Sequence, residues 1–316
     1  MDLFKLAFDN DISSLQSNLD FIGVKDPKGK NLLHYAVLGS AYDVVDYLIS
    51  QDMDVNMTDQ LGESALFDCA RKGKLLIAKK LLGKFAKVDL LNNRNETVLH
   101  LACHKGNLDM VKLFIEAGAN PLSKTTEDRL PIHYAIMAGH VDLINYLMEV
   151  SKLSWFYQDE ASNSFLHYAA KTTSLSMVDL FLNQNLDPNQ LNDQFETPLF
   201  NAVRFGTKDT VLRLLKVDAY IDLINRRYET PIMLARLSDH QDIVRTLEEW
   251  KNSPYYAKLV DNQNLTLAVL NRDYNKLRQL LESGARLKKD RLKLTALDYA
   301  TKYKLQVCIN LLRPYA

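Results

Sequence analysis

The residues best suited to chemistry lie in Leu99-His100-Leu101-Ala102-Cys103-His104-Lys105-Gly106-Asn107, where two imidazoles and a thiol fall within five positions. His100 and His104 are four apart, so a helix would place them on one face. Such a set could hold a metal ion, or pair a thiol nucleophile with a base. A zinc site needs four convergent ligands, or three and a water, and no further Cys/His pair stands nearby in sequence. The chain also lacks Gly-x-Gly-x-x-Gly, a Gly-Lys-Ser/Thr phosphate loop, His-Glu-x-x-His and Gly-x-Ser-x-Gly.

What these residues do depends on the elements that carry them, and those elements repeat. Ala36, Cys69, Ala102, Ala135, Ala169, Ala202, Ala235, Ala268 and Ala300 stand in similar surroundings, separated by 33, 33, 33, 34, 33, 33, 33 and 32 residues. A second apolar column follows at Val45, Val111, Ile144, Val178, Val211, Ile243 and Leu277. Each period predicts a short helix, a tight turn, a longer amphipathic helix and a polar connector. Gly106, Gly139 and Gly206 mark the inter-helix turn, where positive φ is expected. Thr97, Thr197, Thr230 and Thr295 suit N-caps, and Pro131, Pro198 and Pro231 suit the first helical position. One such unit cannot bury both of its faces, so the units must stack.

The period and its "T-P-L-H-x-A" core resemble the ankyrin repeat. "TPLFNAVRFGTKDTVLRLL" and "TVLHLACHKGNLDMVKLFIEAGANP" carry the likeness most closely, and it extends over nearly the whole chain. The resemblance implies an all-α solenoid of stacked helix-turn-helix units with short β-turn connectors. Residues 1–316 then form a single domain, with residues 1–25 as an N-terminal cap and repeats starting near 26, 59, 92, 125, 159, 192, 225, 258 and 290. In this frame His100 is the motif histidine, fixing a turn together with the motif threonine. His34, His133 and His167 share its column, Cys103 packs in the core, and His104 faces outward. The frame leaves no room for an appended catalytic domain. It weakens at "EEWKNSPYYAKLVDNQN", residues 248–264, where the usual connector is missing and an irregular one is expected. Trp155, within the run Trp155-Phe156-Tyr157, falls where a buried Val is usual, although the one 34-residue step lies close by and could expose a ring.

Composition is that of a folded protein, with 47% hydrophobic and 25% charged residues. The first residues lack the basic start and long apolar core of a signal peptide, and no apolar run is long enough to span a membrane. Cys69, Cys103 and Cys308 are too few and too scattered for a disulfide framework. These features lead us to expect a cytoplasmic protein, or one delivered into a host cell if it is a bacterial effector, with no membrane contact and no cofactor. The net charge of zero is unevenly spread: residues 101–200 hold 6 basic against 12 acidic side chains, and residues 201–316 hold 21 against 13.

The resemblance places partner contacts on the connector tips and the outer side of the first helices, which together line a concave groove. On the first helices these positions hold Arg71, Lys72, His104, Lys105, Met137, Lys171, Arg204 and Phe205; near the tips they hold Arg94, Arg129, Gln194, Phe195, Arg226, Arg227 and Tyr228. Phe195 and Tyr228 replace the usual tip glycine. They could pack on each other along the row of connectors, or serve with the arginines as interface anchors. The expected function is a non-enzymatic scaffold that binds another protein, as an adaptor, an inhibitor or immunity-type protein, or an effector, and acts as a monomer. The alternative is nucleic-acid or polyanion binding through the basic C-terminal repeats, Arg286, Lys288, Lys289, Arg291, Lys293, Lys302, Lys304 and Arg313 among them. A cryptic catalytic site on the groove is the third possibility, and it would need a pocket of convergent acids and bases.

Overall fold

A computed structural model describes residues 2–17 and 23–316; part of the expected N-terminal cap, residues 18–22, lies outside the described residues. The chain divides into two compact units, Met1–Ser154 and Trp155–Ala316. The first holds five helix pairs: α1 (Leu3–Phe8) with α2 (Ile12–Gln16), α3 (Leu32–Gly39) with α4 (Tyr42–Ser50), α5 (Ala65–Lys72) with α6 (Leu75–Leu82), α7 (Val98–Lys105) with α8 (Leu108–Glu116), and α9 (Pro131–Met137) with α10 (Val141–Ser151). The second holds α11 (Phe165–Ala169) with α12 (Leu175–Asn183), α13 (Pro198–Phe205) with α14 (Lys208–Leu215), and α15 (Pro231–Leu237) with α16 (Gln241–Lys251). It continues with α17 (Pro254–Leu270), α18 (Tyr274–Glu282), α19 (Ala296–Lys302) and α20 (Gln306–Leu312). Among the described residues no helix is long and apolar enough to cross a membrane.

In the first unit the first helices α1, α3, α5, α7 and α9 pack in file; in the second, α11, α13 and α15 pack in file and α17 packs on α19, with second helices pairing alongside them. The alanine column explains the close approach: Ala36, Cys69, Ala102, Ala135, Ala169, Ala202, Ala235 and Ala300 are fully buried. Their small side chains let helix backbones come together while Phe114, Phe181, Leu48 and Leu81 fill the remaining space. Gly39 shows how tight the fit is, since a Cβ there would stand 1.9 Å from the carbonyl oxygen of Phe8 in α1.

The connectors are small hairpins, each organised by one side chain. Asp26 Oδ1 accepts the amides of Lys28 (2.8 Å) and Lys30 (2.7 Å), and Asp59, Asn92, Asp159, Asn192, Asn225 and Asp290 do the same two and four residues onward. This is the turn chemistry expected of Asx side chains. Five tips are then tied to the previous one by a backbone hydrogen bond. Gln60 N donates to Lys28 O, Asn93 N to Leu61 O, Thr126 N to Arg94 O, Asp193 N to Ala161 O and Arg226 N to Gln194 O, all at 2.9–3.0 Å. The tip residue before the strand-like return is left-handed throughout: Gly29, Gly62, Asn95, Asp128, Ser162, Phe195, Tyr228 and Lys293 all have positive φ.

Two expectations need correction or completion. Gly106 and Gly139 have the positive φ expected of the inter-helix turn, but Gly206 is extended, at φ −84 and ψ −155. Glycine is needed at 206 for space: a Cβ there would lie 2.7 Å from Ala202 O and 2.8 Å from Ala170 O. At 248–264 the connector is not irregular coil but helix. Lys258 falls where the turn-forming Asp or Asn should be, and the tip is replaced by the first half of α17, which breaks at Gln263 (φ −120, ψ 22) before resuming as the first helix of its repeat. Without a tip here, the last repeat turns back within the second unit. Tyr303 OH accepts the amide of Leu191 at 2.9 Å, Lys302 pairs with Asp187 at 3.2 Å, and Arg291 donates to Val217 O at 3.2 Å. Near-neighbour stacking alone would make none of these contacts.

Candidate protein-interaction surface

The cluster at residues 100–104 is taken apart by the fold. His100 is fully buried; its Nδ1 accepts the Thr97 amide at 3.0 Å and its Nε2 reaches Arg129 O in the next connector at 3.1 Å. With Nδ1 accepting, the proton sits on Nε2, so the ring must be neutral to make both bonds. His34 and His167 repeat the arrangement toward Glu63 O (3.0 Å) and Glu196 O (3.1 Å). Burial holds the His100 and His167 rings far below the usual histidine value, at about 4. Cys103 is enclosed in the core, and burial pushes its thiol up, away from the reactive thiolate. Only His104 is exposed, with its ring edge-on to Tyr134.

The tips hold a second buried set that the sequence reading passed over. Glu63, Glu96 and Glu196 are almost wholly buried at the base of the hairpins. Arg71 grips Glu63 with both distances at 2.8 Å, and Arg204 grips Glu196 at 2.8 and 3.1 Å. Asn92 donates to both Glu63 (3.1 Å) and Glu96 (2.7 Å), and Asn225 to both Glu196 (3.1 Å) and Glu229 (2.9 Å), so Glu63 and Glu196 each link successive tips. Burial opposes the charge on Glu96 and Glu196, but hydrogen bonds from Tyr134 and Asn92 to the first, and from Arg204 and Asn225 to the second, outweigh it and hold both below the usual carboxylate value. The signal was available: a glutamate four residues after the turn-forming Asp or Asn recurs at positions 63, 96, 196 and 229.

These pairings sort the expected contact residues. Arg71 and Arg204 are half-buried struts between tip and first helix. Arg94 pairs with the buried Glu96 at 2.9 Å, Arg129 with Glu127 at 2.6 Å, and Arg227 with Glu229 at 3.4 Å. Lys72, His104, Lys105 and Gln194 are exposed, and Met137 is half-buried. Lys171 lies over the rings of Tyr168 (5.2 Å) and Phe205 (5.9 Å), and Phe205 itself is 54% exposed. Phe195 and Tyr228 do not stack on one another: Tyr228 is 85% exposed, while Phe195 lies under Arg226 and Arg272. Trp155 is half-buried edge-on to Phe181, Tyr157 stacks on Phe165, and Phe156 is the ring of that run left exposed.

A model of ankyrin repeats in three copies matches residues 3–92, 66–154 and 166–254, and a second ankyrin-repeat model matches residues 132–182. The chain belongs to the ankyrin-repeat family. Human transient receptor potential cation channel subfamily A member 1 is 29% identical over 241 residues, 75% of this chain and 19% of that protein. L-asparaginase of Dirofilaria immitis is 23% identical over 206 residues, 65% of this chain and 29% of that enzyme. The probable 26S proteasome regulatory subunit p28 of Saccharomyces cerevisiae is 29% identical over 220 residues, 67% of this chain and 82% of that subunit. This chain thus spans less than a third of the first two relatives. Ankyrin repeats serve generally as non-enzymatic interaction modules, and a repeated frame that settles its own folding leaves the outward positions free to vary. Of the basic C-terminal side chains, Lys302 and Arg291 are engaged inside the second unit, and Lys288 donates to Asn262 Oδ1 at 3.1 Å.

Proposed function

We propose that this chain is a non-enzymatic scaffold that binds a partner protein through its connector tips and the outer side of its first helices. The observation that carries the reading is a division of labour within each repeat. Buried His, Glu and Asx side chains fix the hairpins, while Lys72, Lys105, Phe205, Arg226 and Tyr228 project from that fixed frame without a structural task that explains them. Exposed aromatic and arginine side chains on a rigid support are the residue types that dominate interface energetics. Polyanion binding is less well supported, because three of the C-terminal cations it would use already have partners within the second unit.

The test is affinity capture from the native cell, identified by mass spectrometry, with the full chain and with Arg226→Glu/Phe205→Ala. We expect the double variant to lose the captured protein while its thermal unfolding stays within about 1 kcal/mol of the parent, as surface changes do. Capture at undiminished yield would place the binding face elsewhere.

A further inference from the structure

The tip row of the second unit is interrupted after residues 225–229, because α17 occupies the place of the next hairpin before a tip returns at 290–294. Asn271, at the end of α17, covers part of the exposed edge by donating to Asp222 O at 2.9 Å and accepting from Ile224 N at 3.0 Å. Beside this contact lies an open groove of about 610 Å³ lined by Phe195, Arg226, Tyr228, Asn271, Arg272 and Asp273, among others.

Its two arginines both lie against an aromatic ring and beside each other. Arg204 and Arg227 are each held by glutamates, but neither Arg226 nor Arg272 forms an ion pair among the described residues. Both guanidinium groups lie over the Phe195 ring instead, Arg272 at 3.9 Å and Arg226 at 5.0 Å from its centre. Arg272 Nη2 reaches Ile224 O at 3.3 Å, while its buried Nε–H has no acceptor. Burial and the nearby Arg226 charge both disfavour the Arg272 cation. Two guanidinium groups side by side with no carboxylate partner are eased by an anion that meets both.

We propose that this groove receives an aspartate or glutamate side chain of a partner polypeptide, its carboxylate between Arg226 and Arg272 and its methylene stem on Phe195 beside Tyr228. A planar carboxylate matches the guanidinium fork and can be met by two donors at once. A nucleic acid would present a phosphate about every 3.4 Å along a strand and needs a track of cations. The groove offers two uncompensated ones, with Asp273 on its wall. The proposal rests on the scaffold reading but can fail separately: partner capture that survives Arg272→Gln and is lost in Arg226→Glu/Phe205→Ala removes the groove and keeps the scaffold.

The direct test is fluorescence anisotropy of a labelled oligo-glutamate peptide titrated with the full chain, alongside oligo-glutamine and oligo-thymidylate. We expect the glutamate peptide to bind and the other two to bind at least about tenfold more weakly. Arg226→Gln, Arg272→Gln and Phe195→Gly should each weaken glutamate binding by about tenfold or more. Phe195→Gly suits the left-handed backbone and guards against misreading a folding defect, and Lys289→Gln/Lys293→Gln on the exposed basic end should change nothing. The proposal is overturned by absence of glutamate binding, by oligo-thymidylate binding as tightly, or by loss of binding in the Lys289/Lys293 variant rather than the groove variants.

Discussion

Mild acid should destabilise this protein through its buried histidines. His100 and His167 titrate at about 4 in the folded chain, against 6.5 for a free imidazole. Their folded values are depressed, so between pH 6.5 and 4 the unfolded chain takes up protons that the folded chain refuses. Stability therefore falls as pH falls through that window and is unaffected by these groups above it. Each histidine contributes a slope of about 1.4 kcal/mol per pH unit, so moving from pH 7 to pH 5 removes about 2 kcal/mol per ring and about 4 kcal/mol for the pair. The buried glutamates do not confuse the reading. The values of Glu96 and Glu196 are lowered, so their contribution is complete above the ordinary carboxylate range and is lost only at lower pH.

The assay is urea unfolding followed by far-UV circular dichroism at pH 7, 6 and 5, on the parent and on His100→Gln/His167→Gln. Glutamine can still donate toward Arg129 O and Glu196 O but does not titrate. The double variant should start less stable at pH 7 and then lose only what His34, whose value burial also lowers, still contributes, while the parent descends by about 4 kcal/mol more. A level parent curve, or an equally steep variant, would refute the claim that these rings are held neutral by the connectors.

Three further outcomes follow from local geometry. Gly106→Ala should cost more than about 1 kcal/mol by thermal unfolding, because φ is +69 and the new Cβ would meet His140 Nδ1 at 2.4 Å. Tyr303→Phe should cost about 1–2 kcal/mol and loosen the last repeat, since Leu191 N would lose its acceptor; hydrogen exchange at residues 187–191 reads this directly. Tyr228→Gly should raise stability slightly in differential scanning fluorimetry, because about 1 kcal/mol of left-handed strain is relieved against about 0.5 kcal/mol of added chain entropy, and the exposed ring packs on little.

The repeat was legible because ankyrin packing imposes a local demand at a fixed interval: a small residue where helices touch, a turn former where the chain reverses. Ala102 and Thr97 carry that demand in their identity alone. The same logic exposed the junction, since residues 248–264 lack the usual connector, although its replacement by helix was not readable from the missing signal. Gly206 misled for a related reason, because a glycine can serve space or φ and its letter does not say which. Glu63, Glu96 and Glu196 were passed over because a charged residue in a connector reads as solvated until the arginine or asparagine that encloses it is placed in space.

The contacts of the last two repeats were out of reach altogether. Tyr303 meets Leu191 across 112 residues, and Arg272 meets Phe195 across a repeat that has lost its tip. Neither pair leaves a periodic trace, because each exists only where the period fails. The expected contact set accordingly included Phe195 and Arg226 but not Arg272, the arginine whose burial leaves a donor without an acceptor. In a solenoid the regular repeats settle stability among neighbours, and a defect in the series frees side chains from that task. The candidate site of this chain lies at such a defect, where one hairpin is missing and two arginines have no carboxylate of their own.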